Sequence, residues 1–218
     1  MSAKRRKLPK TASVAVPGTN GKLHAPSATR NIEAILKAMR AFIPATGTAL
    51  EIASGTGEHI VRHAAAYPNM VWQPTDIAPD RLDSIAAWVK DVDLPNILAP
   101  KQLDATSTGW ASQWIGQDLI VVSNLLHLIS EDEARTIISQ SAQALNPGGV
   151  FLIYGPFLRG ANFASDADRS FNDSLRDQDA EIGYKSFQSI QSAQIDAGLT
   201  LLDSTDMPSN NLLLAAQK

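Results

Sequence analysis

Cysteine is absent from this 218-residue chain, which excludes disulfide frameworks, thiolate zinc sites and cysteine nucleophiles together. A chain without thiols fits a reducing, cytoplasmic setting. Long apolar runs are missing as well. The longest, Leu119 to Ile129, is interrupted by Ser123, Asn124 and His127 and falls short of the ~20 residues that span a bilayer, so no membrane partner is expected. Acids are missing from the first ten residues, which carry Lys4, Arg5, Arg6, Lys7 and Lys10. Setting those five aside leaves 14 basic against 22 acidic residues in the remainder, a net of −8. An acidic body offers no field for gathering phosphates, so nucleic acid is not expected as a partner. The basic start is followed by small, polar and turn-forming residues from Thr11 to Asn20 rather than an apolar segment, unlike a secretory signal. Residues 1–26 therefore read as a flexible basic arm.

What is present is ordinary for a globular protein: 44% hydrophobic and 19% charged residues, in a length that suits one domain over 27–218. Ser27 stands where a helix cap would, and Ile32, Ile35, Leu36, Met39, Phe42 and Ile43 recur at helical spacing until Pro44. From Thr48 onward, short apolar runs alternate with helical stretches. The runs are Ala49–Ala53, Met70–Thr75, Ile97–Ala99, Leu119–Ser123 and Val150–Tyr154, with helices between them, including a short one near Trp110 and Trp114 and a longer one from Ser130 to Leu145. Such alternation predicts an α/β fold with a parallel sheet and helices on both faces. At the end the rhythm breaks. After a helix over Ser186–Ala197, Leu199–Leu202 and Asn211–Ala216 are joined by too few residues for a crossover, which predicts an antiparallel terminal hairpin. Residues 157–185 form a long polar stretch that reads as an insertion or lid, with room for a short helix.

The first strand runs into Glu51-Ile52-Ala53-Ser54-Gly55-Thr56-Gly57, directly before a helix starting near Glu58. Gly55 and Gly57 permit positive φ and let a ligand approach the backbone, and the helix start offers free N–H groups. A dinucleotide fingerprint wants a third glycine where this chain has Ile60; a plain tight turn is the other reading of the pair. The second strand ends at Asp76, where an acid can accept hydrogen bonds from vicinal ribose hydroxyls. The third is followed by Leu103-Asp104, where a carboxylate can accept an adenine amine beside an apolar residue. Each acid can equally be a helix cap. Taken in this order, with the terminal hairpin, the three features describe an adenosine ligand without a diphosphate.

These residues resemble the class I S-adenosylmethionine-dependent methyltransferases, which share a Rossmann-like sheet. More narrowly, the chain is similar to the methyltransferase-like family filed as domain of unknown function 938. Its segments appear as Thr29-Arg30-Asn31, LEIASGTGEH (50–59), WQPTD (72–76), SIAAW (84–88), SNLLHLI (123–129), YGPF (154–157), FNDSLR (171–176) and MPSNNLLL (207–214). One segment departs: where the family tends to carry Trp-Gly-x-Arg-Asp, this chain reads Ile182-Gly183-Tyr184-Lys185-Ser186. The resemblance implies S-adenosylmethionine as cofactor. It places Glu51, Ala53 and Gly55, with the neighbouring Ser54 and Gly57, around the methionine part, Asp76 at the ribose, Leu103 and Asp104 at the adenine, and Asn124 near the methionine amine. It implies a methyltransferase acting on a small or medium-sized acceptor.

Single residues carry rival readings. His59 and His63 are four apart on a helix, the spacing of a shared metal, but no third ligand accompanies them and no metal is expected. His59 reads as a first-turn residue near the cofactor, and His63 as surface or core. His127 and Tyr154 either serve the local structure or orient and deprotonate an acceptor. Arg176 in the insertion is a candidate for the same task. Arg30 and Asn31 either touch the cofactor site or merely open their helix. The four tryptophans, Trp72, Trp88, Trp110 and Trp114, read as packing residues. Two other functions compete: a catalytically inert S-adenosylmethionine-binding interaction module, and a nicotinamide oxidoreductase, against which the missing third glycine and the hairpin stand.

Overall fold

The computed structural model describes residue 12 and residues 14–160 and 162–218. A two-residue hairpin, β1 (Val16–Pro17) and β2 (Leu23–His24), leads into helix α1 (Pro26–Met39). Pro26, with its missing N–H and fixed φ, occupies the first turn, and Ala25 rather than the expected Ser27 is the N-cap. Then follow β3 (Gly47–Ile52), α2 (Glu58–Ala66), β4 (Met70–Asp76), α3 (Pro79–Val92), β5 (Lys101–Gln102) and β6 (Gln117–Ser123). The chain continues through α4 (Glu131–Ala144), β7 (Leu145–Leu158), α5 (Asp166–Arg176), β8 (Lys185–Ser186), α6 (Phe187–Asp196), β9 (Thr200–Asp206) and β10 (Asn211–Gln217).

The main sheet runs β5-β4-β3-β6-β7-β10-β9 and is parallel up to β7. The terminal strand β10 inserts antiparallel between β7 and β9, as the short connection requires. The expected third strand is displaced: Ile97 makes only an isolated bridge to Trp72, and the paired strand is Lys101–Gln102. Of this run only Ile97 is buried, in the cluster that contains Trp72, while Leu98 and Ala99 are exposed.

Side-chain alternation sorts the core into two layers. Leu50 and Ile52 of β3 and Phe151 and Ile153 of β7 face α4 and α6. Ala49 of β3 and Val150, Leu152 and Tyr154 of β7 face α1, α2 and α3. Ser130 caps α4 through a reciprocal capping box with Glu133. His63 belongs to the core, fully buried and stacked on Trp72 at 5.2 Å.

The expected arm is different in its second half. Leu23 donates its N–H to Ser84 Oγ at 2.8 Å and accepts Trp88 Nε1–H at 2.9 Å. Lys22 lies over the Trp88 ring and pairs with Asp91. Residues 16–24 are thus fastened to α3, and Ala12 packs with Leu175 and Ile182 of the insertion. Of the arm, residues 1–11 and 13 lie outside the described residues. Among the described residues of the 157–185 insertion, helix α5 is eleven residues long and capped by Ser165.

Candidate functional site

Strand order reverses between β3, which leads outward to β4 and β5, and β6, which pairs on its other side. In an open parallel sheet the crevice at the carboxyl ends of such strands is where ligands bind. Here both lips of the crevice carry left-handed backbone. After β3, Ala53 has φ 53° and Gly55 φ 60°; after β6, Asn124 has φ 56°. For the non-glycine residues that geometry costs of order 1–3 kcal/mol, and such strain gathers at functional sites. Asn124 is held there by its N–H to the Tyr154 carbonyl at 2.8 Å.

The two glycines of the loop divide the work expected of both. A Cβ at Gly55 meets nothing closer than the Ala53 carbonyl at 3.9 Å, so bare backbone faces open space. A Cβ at Gly57 lies 2.9 Å from Ile85 Cα. Gly57, at φ 95° the N-cap of α2, lets α3 pack closely rather than admitting a ligand.

Asp76 ends β4 under this loop. Its Oδ2 accepts the Gly55 N–H at 2.9 Å and its Oδ1 the Ala78 N–H at 3.0 Å, leaving each oxygen a further lone pair. Burial pushes its carboxyl above the ordinary range, against the pull of those backbone hydrogen bonds. Asp104 spends Oδ1 on the Thr106 N–H and hydroxyl, and Oδ2 is without a partner among the described residues. Leu103 beside it is buried in the core and donates its N–H to the Asp76 carbonyl.

Three other expected cofactor residues have protein neighbours of their own. Glu51 is buried with its Oε1 3.3 Å from His63 Nδ1, on the α2 side of the sheet, and its Oε2 is orphaned. The Ser54 hydroxyl is tied to β4 through the Thr75 N–H and to the Glu51 carbonyl. His59 sits 2.8 Å from Asn31 Oδ1, joining α2 to α1. Burial, then the neighbouring His63, pushes its imidazole down to about 4.

On the other lip, His127 lies in a short 3-10 turn, Leu126–Leu128, just past Asn124. It is buried, its solvent-excluded Nδ1 has no hydrogen-bond partner among the described residues, and its carbonyl accepts the Gly183 N–H at 3.0 Å. Burial, reinforced by the Lys185 ammonium, pushes it down to about 3, so the imidazole is neutral and resists protonation. Tyr154 is on the opposite face of the sheet end. Its hydroxyl hydrogen-bonds to the Asn31 and Asn211 side chains, and burial raises its pKa. Arg176 is exposed in the last turn of α5, its stem against Gly183.

Sequence reading missed Glu58. Its carboxylate accepts the Ala25 N–H at 2.5 Å, the Thr29 hydroxyl at 3.1 Å and the Thr56 hydroxyl at 3.0 Å. It clamps the start of α1 onto the glycine loop. In sequence it shows only as an acid in the first helical turn, where the helix dipole already accounts for it. Asp168 accepts from Ser165, Tyr184 and Asn210; the Ser165 pair three residues away was a local capping signal that the sequence reading did not use, whereas Tyr184 and Asn210 are too distant in the chain to leave one. Among the described residues, no group of three His, Asp or Glu side chains stands ready for a metal. Nor is any helix among them long and apolar enough to cross a membrane. A surface groove of about 470 Å³ between α1 and α2, lined in part by Lys37, Arg40 and Tyr67, opens away from the crevice.

The architecture recurs in solved structures. An O-methyltransferase family 2 protein from Planctomyces limnophilus, in complex with apigenin, superposes with a TM-score of 0.68 at 16% identity, over 86% of this chain and 61% of that one. An O-methyltransferase family protein from Burkholderia thailandensis gives 0.70 at 18% identity, over 86% and 58%. PigF with SAH gives 0.69 at 17%, over 84% and 54%. The chain spans between half and two thirds of the length of these proteins, and at such identities the likeness is one of fold: the class I methyltransferase sheet with its antiparallel terminal hairpin. Over residues 22–218 the sequence matches the family model described as Protein of unknown function (DUF938), and the chain belongs to that family.

Proposed function

We propose that this protein is an S-adenosylmethionine-dependent methyltransferase acting on a small or medium-sized acceptor. One observation carries the reading: left-handed backbone at Ala53, Gly55 and Asn124 brackets the switch point, with the carboxylates of Asp76 and Asp104 on its β4–β5 side. The residues fit the cofactor. The spare lone pairs of Asp76 suit vicinal ribose hydroxyls, the free Oδ2 of Asp104 suits an adenine amino group, and the open space at Gly55 admits a ligand against the backbone. Asn124, on the facing lip, stands nearest to where a methionine amine belongs in this arrangement. The solved structures of like fold include one with SAH, which supports the same cofactor.

When bound, the cofactor supplies a sulfonium methyl group with a good leaving group, so alignment of the acceptor provides most of the catalysis. His127 contributes a neutral imidazole at the β6 end, suited to orient an acceptor hydroxyl rather than to take its proton, because burial and the Lys185 ammonium both disfavour the imidazolium. Arg176, exposed at the end of α5 against Gly183, is the further candidate for the surroundings of that acceptor, while Tyr154 on the opposite face of the sheet end is tied to Asn31 and Asn211. The deciding test is calorimetric titration with S-adenosylhomocysteine. The wild type binds, and Asp76→Ala binds about ten- to a hundredfold more weakly, as expected for losing hydrogen bonds to a charged acceptor. No heat of binding to the wild type, or equal affinity in the variant, overturns the assignment.

A further inference from the structure

Beside His127 the insertion builds a cluster of four rings. Tyr184 is its centre, with ring centroids 6.2 Å from His127, 5.9 Å from Phe163 and 6.2 Å from Phe171, while Phe171 meets His127 at 5.8 Å. His127 is buried; Phe163, Phe171 and Tyr184 are only half-buried, so the cluster offers apolar ring surface at the crevice edge. Local chain geometry puts Tyr184 there. Gly183, at φ 130°, lies so close to α5 that a Cβ falls 2.7 Å from Asn172 Oδ1. The next residue then donates its N–H to that same oxygen at 2.9 Å. The Tyr184 hydroxyl donates to Asp168 at 3.1 Å, and Asp168 is fixed in turn by Asn210 at 2.8 Å and Ser165 at 2.7 Å. A ring held at both ends is a rigid wall, which binds a flat partner at little entropic cost.

Charge narrows the partner. The Lys185 ammonium is buried behind His127, bonded to the Ile129 and Gly183 carbonyls at 2.6 and 2.8 Å. A cationic acceptor entering beside His127 meets that charge at low dielectric. Asp168, the carboxylate at the cluster, already takes three donors. The Phe163 face, which could draw a cation, is covered by Arg169 at 4.9 Å.

We propose that Tyr184 determines acceptor specificity, its ring forming with Phe171 a wall for a planar aromatic acceptor that presents a phenolic hydroxyl to His127. This rests on the methyltransferase reading, and the test separates the two. Catechol, benzylamine and cyclohexanol serve as probes, titrated by ligand-observed NMR against wild type, Tyr184→Ala, Tyr184→Phe and Phe171→Leu, each with and without S-adenosylhomocysteine. Catechol is expected to bind most tightly of the three. Tyr184→Ala and Phe171→Leu each weaken it about three- to tenfold, the range of one aromatic contact. Tyr184→Phe, which keeps the ring, stays within about twofold of wild type. Affinity for S-adenosylhomocysteine is the same in all four proteins, which also shows that each is folded; should Tyr184→Ala not fold, Phe171→Leu decides, since it keeps the apolar volume and loses only the ring. Catechol binding no tighter than cyclohexanol, benzylamine binding as well as catechol, or ring-deleted variants that bind catechol like wild type overturn the proposal. Failure of S-adenosylhomocysteine to bind sinks the cofactor reading instead, while catechol binding to the free protein still decides the wall.

Discussion

Gly55 and Gly57 look interchangeable in the sequence, and the fold gives them separate tasks. Both have positive φ, so an alanine at either costs about 1–2 kcal/mol of backbone strain. At Gly57 the new methyl also collides with Ile85, where overpacking adds about 1–3 kcal/mol. Urea unfolding is therefore expected to show Gly57→Ala as the less stable of the two variants. Calorimetry is expected to show the reverse order of damage to S-adenosylhomocysteine binding, because only at Gly55 does the methyl enter the open space proposed for the ligand. Equal stability losses contradict this division. Glu51 teaches the same lesson from the other side: an acid inside the first strand was readable, but its pairing with His63, twelve residues later on a helix, was not. Pairings of that kind depend on which face of α2 meets the sheet.

At the scale of elements, those with strong local chemistry were legible. Ser130 and Glu133 announce the start of α4 through a capping box, and the structure contains both of its hydrogen bonds. The β9–β10 hairpin follows from a connection too short to cross over. Less legible were elements stabilised only by distant partners. The hairpin over residues 16–24 has a turn-rich sequence with few apolar residues, and Val16 stays exposed. It is held by Ser84, Trp88 and Asp91 of α3. Removing residues 1–25 is accordingly expected to lower the melting temperature. The loss includes two hydrogen bonds at Leu23 and one to the Glu58 carboxylate, each worth about 0.5–3 kcal/mol, and about 2–4 °C follows per kcal/mol in a protein of this size. A melting temperature unchanged by the truncation shows that the hairpin adds nothing to the body.

For the whole molecule, His127 and His59 contribute to the response to acid. His127 in the folded protein is pushed down to about 3, mainly by burial, against an ordinary value of 6.5. As pH falls through 6.5 the unfolded chain takes up that proton and the folded protein does not. Stability is thus full above pH 6.5 and declines between there and pH 3, by up to about 1.4 kcal/mol per pH unit for this one group. His59, pushed down to about 4, acts with the same sign. Urea unfolding between pH 7.5 and 5 is expected to show this slope, reduced by about one proton in His127→Asn; parallel slopes in the two proteins count against a neutral buried His127. The alternation of strand and helix, the glycine loop, Asp76 and the closing hairpin were all determined by the sequence itself, because each rests on local periodicity, turn chemistry or chain length. Which polar side chains meet was decided by tertiary structure alone. Thr29 donates to Glu58 across 29 positions, Asn210 donates to Asp168 across 42, and the Tyr184 and His127 rings meet across 57; only the packing of separate elements brings these side chains together.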